Sequence, residues 1–436
     1  MNNSQLPEGY KLTDVGIFPE QWEVMSLATM CKAILDCHHS TPVWTETGTI
    51  VIRNQNIRDG SLDFSEPSFT DQRHFAERTR RAVPSFGDLV ITREAPMGQV
   101  CMIPNGLKCC LGQRMVLLRI DCDSADVAYL LYAIQSDLLQ RSIFVAGGTG
   151  STVSNLRIPS LKSLQIPTPP LPEQRSIATA LSDMDELLGG LDRLIAKKRD
   201  LKQSTMQQLL TGKTRLLGFC EGKSYKKTEV GLIPEDWDSV EMKNIVESNR
   251  IPSGIYKEKS LYGDGSQIIK LGDIFNLDYF DPNQSQRVLL ESDEISKYRV
   301  NIGDIFIALA SVKLEGVGKV MLVTELNEDT AYDHNVALIR VNNLVDPKFI
   351  FYVLKSDFVR NEVSKAATQV GTTFLKASTI LAFQLPIPPL PEQTTIASVL
   401  SDMDTEITTI EQRRNKTRDL KQAMMQELLT GRIRLV

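Results

Sequence analysis

A chain of 436 residues is too long for one ordinary core, so its length predicts two or more domains. Its composition, 42% hydrophobic and 24% charged, is that of a globular protein, and no apolar run reaches the ~18 residues of a membrane span. The formal net charge of −5 argues against a generic polyanion binder. It leaves room for local basic surfaces, or for a basic partner that supplies most phosphate contacts.

The start, Met1-Asn2-Asn3-Ser4-Gln5, has no basic-then-apolar leader pattern. Seven cysteines without regular spacing suit a reducing compartment, so a cytoplasmic protein is expected. Cys31, Cys37, His38 and His39 come nearest to a metal cluster. No second ligand pair stands at zinc-finger spacing, and neither metal nor cofactor is expected.

In chain order, the first block opens on Thr13-Asp14-Val15-Gly16-Ile17-Phe18-Pro19-Glu20-Gln21-Trp22. Short β-branched runs follow between glycine and proline turns, among them Gly87–Ile91, Gly98–Val100 and Gln113–Arg119, and read as strands. A helix is expected near Val127–Gln140. The block is therefore a mixed α/β domain of roughly 160 residues with a sheet core. It carries Arg53, Asn54, Gln55, Asn56 and Arg58, then Arg73, then Arg78, Arg80 and Arg81, then Arg93 and Arg114. Arg, Asn and Gln can make paired hydrogen bonds to base edges. The loop Gly147–Thr152 adds Thr149, Ser151 and Thr152, a composition suited to phosphate oxygens. Taken singly, Arg78–Arg81 reads better as a solvated loop than as a DNA contact, and the Gly/Thr loop reads equally well as an ordinary turn.

The first helical region begins with the stiff, extended lead-in Ile166-Pro167-Thr168-Pro169-Pro170. Pro172 suits a first helical turn, and Glu173 is favourable beside the positive helix end. Ile177, Leu181, Met184, Leu188, Leu191 and Ile195 then form a heptad seam, which resumes at Leu201 and Leu209. Gly189-Gly190 lies mid-helix, at a cost of about 2 kcal/mol relative to alanine, which leaves room for a bend or loosened turn. Thr211-Gly212 is the stop. Gly212-Lys213-Thr214 is not a phosphate-binding loop, because Gln207 stands where another glycine is needed.

The second block restarts with Thr228-Glu229-Val230-Gly231-Leu232-Ile233-Pro234-Glu235-Asp236-Trp237 and repeats the strand landmarks at Gly303–Ile307, Gly318–Val320 and His334–Arg340. Its helix is expected near Pro347–Val363. Its candidate contact residues differ: Arg250, Lys270, Lys313, His334, Asn335, Thr372, Thr373 and Lys376. The second helical region starts at Leu385-Pro386-Ile387-Pro388-Pro389, has the seam Ile396, Leu400, Met403, Ile407 and Ile410, continues through Leu420, Met424 and Leu428, and stops at Gly431.

The two helical regions are near copies in one ungapped register, Pro172 onto Pro391 and Gly212 onto Gly431. Pro-Pro-Leu-Pro-Glu-Gln, Leu-Ser-Asp-Met-Asp, Arg-Asp-Leu-Lys-Gln and Leu-Leu-Thr-Gly occur in both. A helix of ~40 residues is about 60 Å long. It cannot bury its seam alone, and the matching copy is the obvious mate. The alternatives are packing on its own domain or on a separate protein.

This layout resembles the specificity subunit of bacterial type I restriction-modification enzymes. The resemblance covers essentially the whole chain and is carried by Pro169–Gln174 and Pro388–Gln393, the Leu-Leu-Thr-Gly ends, and the Gly-Ile/Leu-x-Pro-Glu-x-Trp starts. It implies target-recognition domains at 1–165 and 217–384, each reading one half of a bipartite, asymmetric double-stranded DNA target. It further implies conserved helical regions at 166–216 and 385–436, forming an antiparallel, pseudo-twofold coiled coil that spaces the domains. That coiled coil would hold two methyltransferase (modification) subunits, with restriction/translocase subunits completing the enzyme. No catalysis is expected in this chain. Asp281-Pro282-Asn283-Gln284 lacks the second proline and aromatic of an adenine-methyltransferase motif, and Asp88 and Asp304 look like turn residues. A rival reading is a non-catalytic coiled-coil assembly scaffold whose variable domains bind protein. A third is an enzyme whose site is too dispersed to see.

Overall fold

Leu171–Leu209 and Leu390–Leu428 each form one unbroken helix of 39 residues. The computed structural model describes residues 6–147, 155–219, 224–370 and 372–435. It divides into two compact units, Met1–Arg193 with Glu411–Val436, and Leu194–Ile410. Each unit therefore contains one variable block, the front of that block's own long helix and the back of the other one.

In the first unit, four antiparallel strands form a sheet in the order Val100–Met102, Leu89–Thr92, Met115–Ile120, Cys31–Asp36. A second sheet places Thr49–Ile52 between Cys109–Leu111, which runs parallel to it, and Phe69–Thr70. The second unit repeats the plan. Ile305–Ala308 lies between Val320–Leu322 and Val336–Ile339. Tyr262–Ile269 lies between Gln286–Val288 and the parallel Thr330–Tyr332. The proline-rich lead-ins are extended, as their prolines require, and each pairs as a short strand: Gln165–Thr168 with Glu23–Ser26, and Gln384–Ile387 with Asp238–Glu241.

The single helix expected after each sheet is two. Val127–Gln135 and Asp137–Ala146 break at Ser136, and Pro347–Lys355 and Asp357–Ala366 break at Ser356. Both serines have extended backbone, and their hydroxyls donate to the carbonyls of Ala133 and Val353. A serine followed by aspartate starts a new helix as readily as it continues an old one. Gly189-Gly190 produces no break, because the ion pairs Asp185–Lys421 and Asp192–Arg414 tie the helix to its antiparallel neighbour on either side of it.

Within each unit the helix fronts do both jobs that the sequence left open. Ile177, Ala178 and Leu181 pack into the first unit's core with Leu428 and Leu429 from the other helix's end. Ile396, Ala397 and Leu400 pack into the second unit's core with Leu209 and Leu210. Leu191, Ile195 and Ile407 are also buried, and Met184, Leu188, Met403 and Ile410 are half-buried. Leu201 and Leu420, expected to resume the seam, are instead 51% and 55% exposed. The adjacent Lys202 and Lys421 take the inward positions and form ion pairs with Asp404 and Asp185.

The duplicated motifs meet in duplicated contacts. In the first unit Trp22 Nε1 donates to Glu173 Oε2 at 3.0 Å, and Arg434 donates to both oxygens of the same carboxylate. In the second, Trp237 Nε1 donates to Glu392 Oε2 at 3.0 Å, and Arg215 clamps Glu392 and Asp236 together. Gln174 and Gln393 accept the backbone N–H of Asp126 and Asp346, at 2.9 and 2.8 Å. Asp185 accepts from Tyr132 at 2.7 Å and Lys421 at 2.6 Å. Asp404 accepts from Tyr352 at 2.8 Å, Tyr279 at 3.0 Å and Lys202. Burial pushes the Tyr132 and Tyr352 phenols well above their usual range, so they remain donors. The stop glycines are required twice over. Gly212 and Gly431 have φ of +67° and +70°, and a Cβ on either would sit 2.5 Å from Pro234 or Pro19.

Candidate nucleic-acid interface

In the first unit the loops leaving the parallel strand pair converge. After Ile52 the chain makes a tight turn, Asn54–Asn56, whose buried Asn56 is its staple. Asn56 Oδ1 accepts Arg53 N–H at 3.0 Å and Nδ2 donates to the Asp63 carbonyl at 3.0 Å. Asn54 Nδ2 donates to the carbonyls of Glu94 and Ala95, drawing in the loop after Leu89–Thr92. The Arg53 guanidinium lies 5.0 Å from the Trp44 ring centre and donates to Ser68 Oγ. Gln55 is exposed, and Arg58 pairs with Asp63 at 3.3 Å.

The remaining arginines divide by what they touch. Arg78 donates to the carbonyls of Leu111, Ser40 and His38, and burial lowers its basicity. Arg93 grips both oxygens of Asp36 at 2.9 and 3.0 Å and the Leu156 carbonyl, and Arg81 donates to the Asp36 carbonyl. These three tie the loops around His38 and Leu111 together. Arg73 and Arg80 are exposed, on and just after the helix Gln72–Arg78. Arg114 is 53% exposed at its side chain, with Nε 2.8 Å from Glu94 Oε2. Thr149, Ser151 and Thr152 lie outside the described residues.

In the second unit the matching turn belongs to Lys270, whose N–H donates to Asp273 Oδ2 at 2.7 Å at the start of the helix Leu271–Asn276. Its ammonium lies 4.2 Å from the Tyr262 ring centre and donates to Gln286. The Tyr262 hydroxyl donates to buried Asp333 at 3.0 Å, and burial, reinforced by that carboxylate, pushes the phenol up to about 12. Asp333 Oδ1 accepts both the backbone N–H and Nδ2 of Asn335, at 2.9 and 2.8 Å. His334 lies 3.2 Å from Asp333 and edge-on to Tyr256, whose ring is 69% exposed. Lys313 is exposed before the turn Leu314–Gly316. Ser311 pairs with Thr373, which is buried, and the Thr373 hydroxyl has no hydrogen-bond partner among the described residues. Thr372 lies in the same strand, and Lys376 is exposed ahead of the helix Ala377–Leu381.

Thus most of the expected residues of the first block fall on loops that contact one another, whereas those of the second fall in two groups, around Asp333 and around Thr373. Trp44, Glu94, Gln113 and Tyr256 belong to the same surfaces but were not among the expected contacts, whereas His334 stood beside Asn335 among the candidates. The matched segments Gln113–Arg119 and His334–Arg340 carried the signal for Gln113: where the strands agree, their leading residues differ. Among the described residues no group of three or more His, Cys, Asp or Glu is arranged to hold a metal ion. Burial pushes the Cys31 thiol up to about 12.

The family model described as the type I restriction modification DNA specificity domain matches this chain twice, over residues 19–197 and 234–417. The chain belongs to that family, the type I specificity subunits. It is 30% identical over 426 residues to the type I restriction enzyme MjaVIII specificity subunit of Methanocaldococcus jannaschii, covering 96% of this chain and 94% of that one. It is 21% identical to the EcoKI specificity subunit of Escherichia coli K12, covering 96% and 90%. In fold it is similar to the S subunit of a type I restriction-modification system from M. genitalium, with a TM-score of 0.56 and 16% identity over 93% of this chain and 96% of that one. Specificity subunits are the DNA-recognition components of type I enzymes rather than their catalytic subunits. Each family match spans one variable block and part of its own long helix, so the family's repeating domain joins a recognition block to its mount. No helix of the described residues is long and apolar enough to cross a membrane.

Proposed function

We propose that this specificity subunit recognises a bipartite, asymmetric double-stranded DNA target and performs no catalysis itself. Residues 1–165 and 217–384 act as the two target-recognition domains. Residues 166–216 and 385–436 form the paired helices on which two methyltransferase subunits dock, and through them the restriction/translocase subunits. The setting is the cytoplasm, where the DNA is. The observation that carries this reading is the duplication: one scaffold occurs twice, with the same Trp–Glu–Arg and Tyr–Asp–Lys contacts, under two different sets of exposed side chains. Two copies of one DNA-reading domain with different surfaces are suited to two different half-sites.

In this proposal Arg53, Asn54, Asn56, Arg78, Arg81 and Arg93 shape the first surface, because their polar groups are engaged by the protein. Gln55, Arg58, Arg73, Arg80 and Arg114 face the DNA, and Thr149, Ser151 and Thr152, outside the described residues, are further contacts in this proposal. In the second domain Lys270, Lys313, Asn335 and Lys376 do so, with Thr372 a further contact in this proposal and Thr373 buried. The test is to map methylated adenines in cells that express the chain with its partner subunits. Two dissimilar half-sites separated by a fixed gap are expected. A single continuous site, or methylation without sequence preference, would overturn the proposal.

A further inference from the structure

We infer that one rigid turn, present once in each domain, carries base-reading side chains, and that Arg114 reads guanine in one half-site while Asn335 reads adenine in the other. This rests on the DNA-recognition reading above and assigns the letters within it.

The turn joins the strand that pairs in parallel, Cys109–Leu111 or Thr330–Tyr332, to the strand of the other sheet that follows, Met115–Ile120 or Val336–Ile339. Its backbone is held in both domains. In the first, Gly112 N–H donates to the Ile52 carbonyl at 2.7 Å, and the Arg114 carbonyl accepts Arg93 N–H at 2.9 Å. In the second, Asp333 N–H donates to the Ile269 carbonyl at 2.9 Å, and His334 N–H to the Ile255 carbonyl at 3.0 Å. Arg114 has φ of +76°, a left-handed conformation in which a non-glycine residue is strained. The tips differ where the frames agree: Gln113-Arg114 in one, His334-Asn335 in the other.

The polar contacts already made decide what each tip has left. Glu94 engages Arg114 through Nε, at 2.8 Å. The two terminal nitrogens keep their outward N–H groups, the donor pair that fits the O6 and N7 acceptors of guanine. The same carboxylate cancels the arginine's charge and repels phosphate, so the pair is a poor backbone anchor and a good reader of neutral base edges. Asn335 gives one Nδ2 hydrogen to Asp333 at 2.8 Å. It retains one N–H and its carbonyl oxygen, the donor and acceptor that fit N7 and the N6 amine of adenine. Asp333 plays the part of Glu94, a carboxylate that orients the reader and discourages phosphate.

The experiment uses the full chain complexed with its methyltransferase subunits, with binding selected from a duplex library randomised over the target. Arg114→Lys keeps the charge and loses the fork. It is expected to lower the preference for one G·C pair by about tenfold to a hundredfold, in one half-site only. Asn335→Ala is expected to do the same to one A·T pair in the other half-site. Neither is expected to change the salt dependence of binding, whereas Lys313→Ala, a backbone anchor, lowers its slope by about one. If the wild type selects a bipartite target and the variants select the same one with uniformly weaker binding, the turn is not the reader. If the wild type selects no sequence at all, the underlying DNA-recognition reading falls, and this assignment with it.

Discussion

Glu392 is fully buried, and Arg215, its main partner, is 5% exposed at the side chain; the corresponding Arg434 beside Glu173 is 23% exposed. A buried carboxylate of this kind is tolerated only because both of its oxygens have donors, here Trp237 and both arms of Arg215. Removing it leaves the Trp237 indole N–H without a partner and a buried guanidinium held by Asp236 alone, so Glu392→Ala is expected to destabilise the chain by about 3–5 kcal/mol. Glu173→Ala is expected to do less, because Arg434 reaches solvent where Arg215 does not. Denaturant unfolding of the two variants side by side checks the order, and equal losses would contradict it. At this scale the sequence was half legible. Pro172-Glu173 read correctly as a helix start, but the charge at the helix end was only part of Glu173's role. Its indole and guanidinium partners stand 151 and 261 residues away, and no local pattern encodes a contact at that distance.

The long helices were the most legible elements, because a heptad seam is a strong periodic signal and proline and glycine mark its ends. Where the reading went astray, a polar residue displaced an apolar one: Lys202 and Lys421 face inward to aspartates and turn Leu201 and Leu420 out to solvent. Gly189-Gly190 shows the same primacy of pairing over propensity. The glycines are helical, a Cβ at Gly190 would meet nothing within 4 Å, and one at Gly189 would meet only an arginine nitrogen at 3.5 Å. Replacing both with alanine is therefore expected to stabilise the chain by about 1–2 kcal/mol, read as a higher melting temperature with unchanged DNA selection. A lower melting temperature would mean that the glycines admit a close approach the free helix does not show. The short helices were harder to read, since Ser136 and Ser356 are compatible with either one bent helix or two straight ones.

For the molecule as a whole, the division of the chain matters more than the repeat itself. Each unit is completed by the tail of the other long helix, through Arg434 and Lys421 in one and Arg215 and Lys202 in the other. Both long helices cross from one unit to the other, one between Arg193 and Leu194, the other between Ile410 and Glu411. Additional residues inserted at those two points leave every contact within a unit in place. A heptad in each also keeps the seam in phase, so that the fold is retained. If the paired helices set the gap between the two half-sites, each inserted heptad of about 10 Å corresponds to about three base pairs at ~3.4 Å each. Methylation mapping of the double-insertion variant is expected to return the same two half-sites with a spacer longer by about three base pairs. Unchanged half-sites at the original spacing, in a variant that still methylates, would show that something other than helix length measures the DNA. Inserting the heptad in one helix alone supplies the control. It shifts Lys202 from Asp404, or Lys421 from Asp185, and is expected to lose binding rather than re-space it.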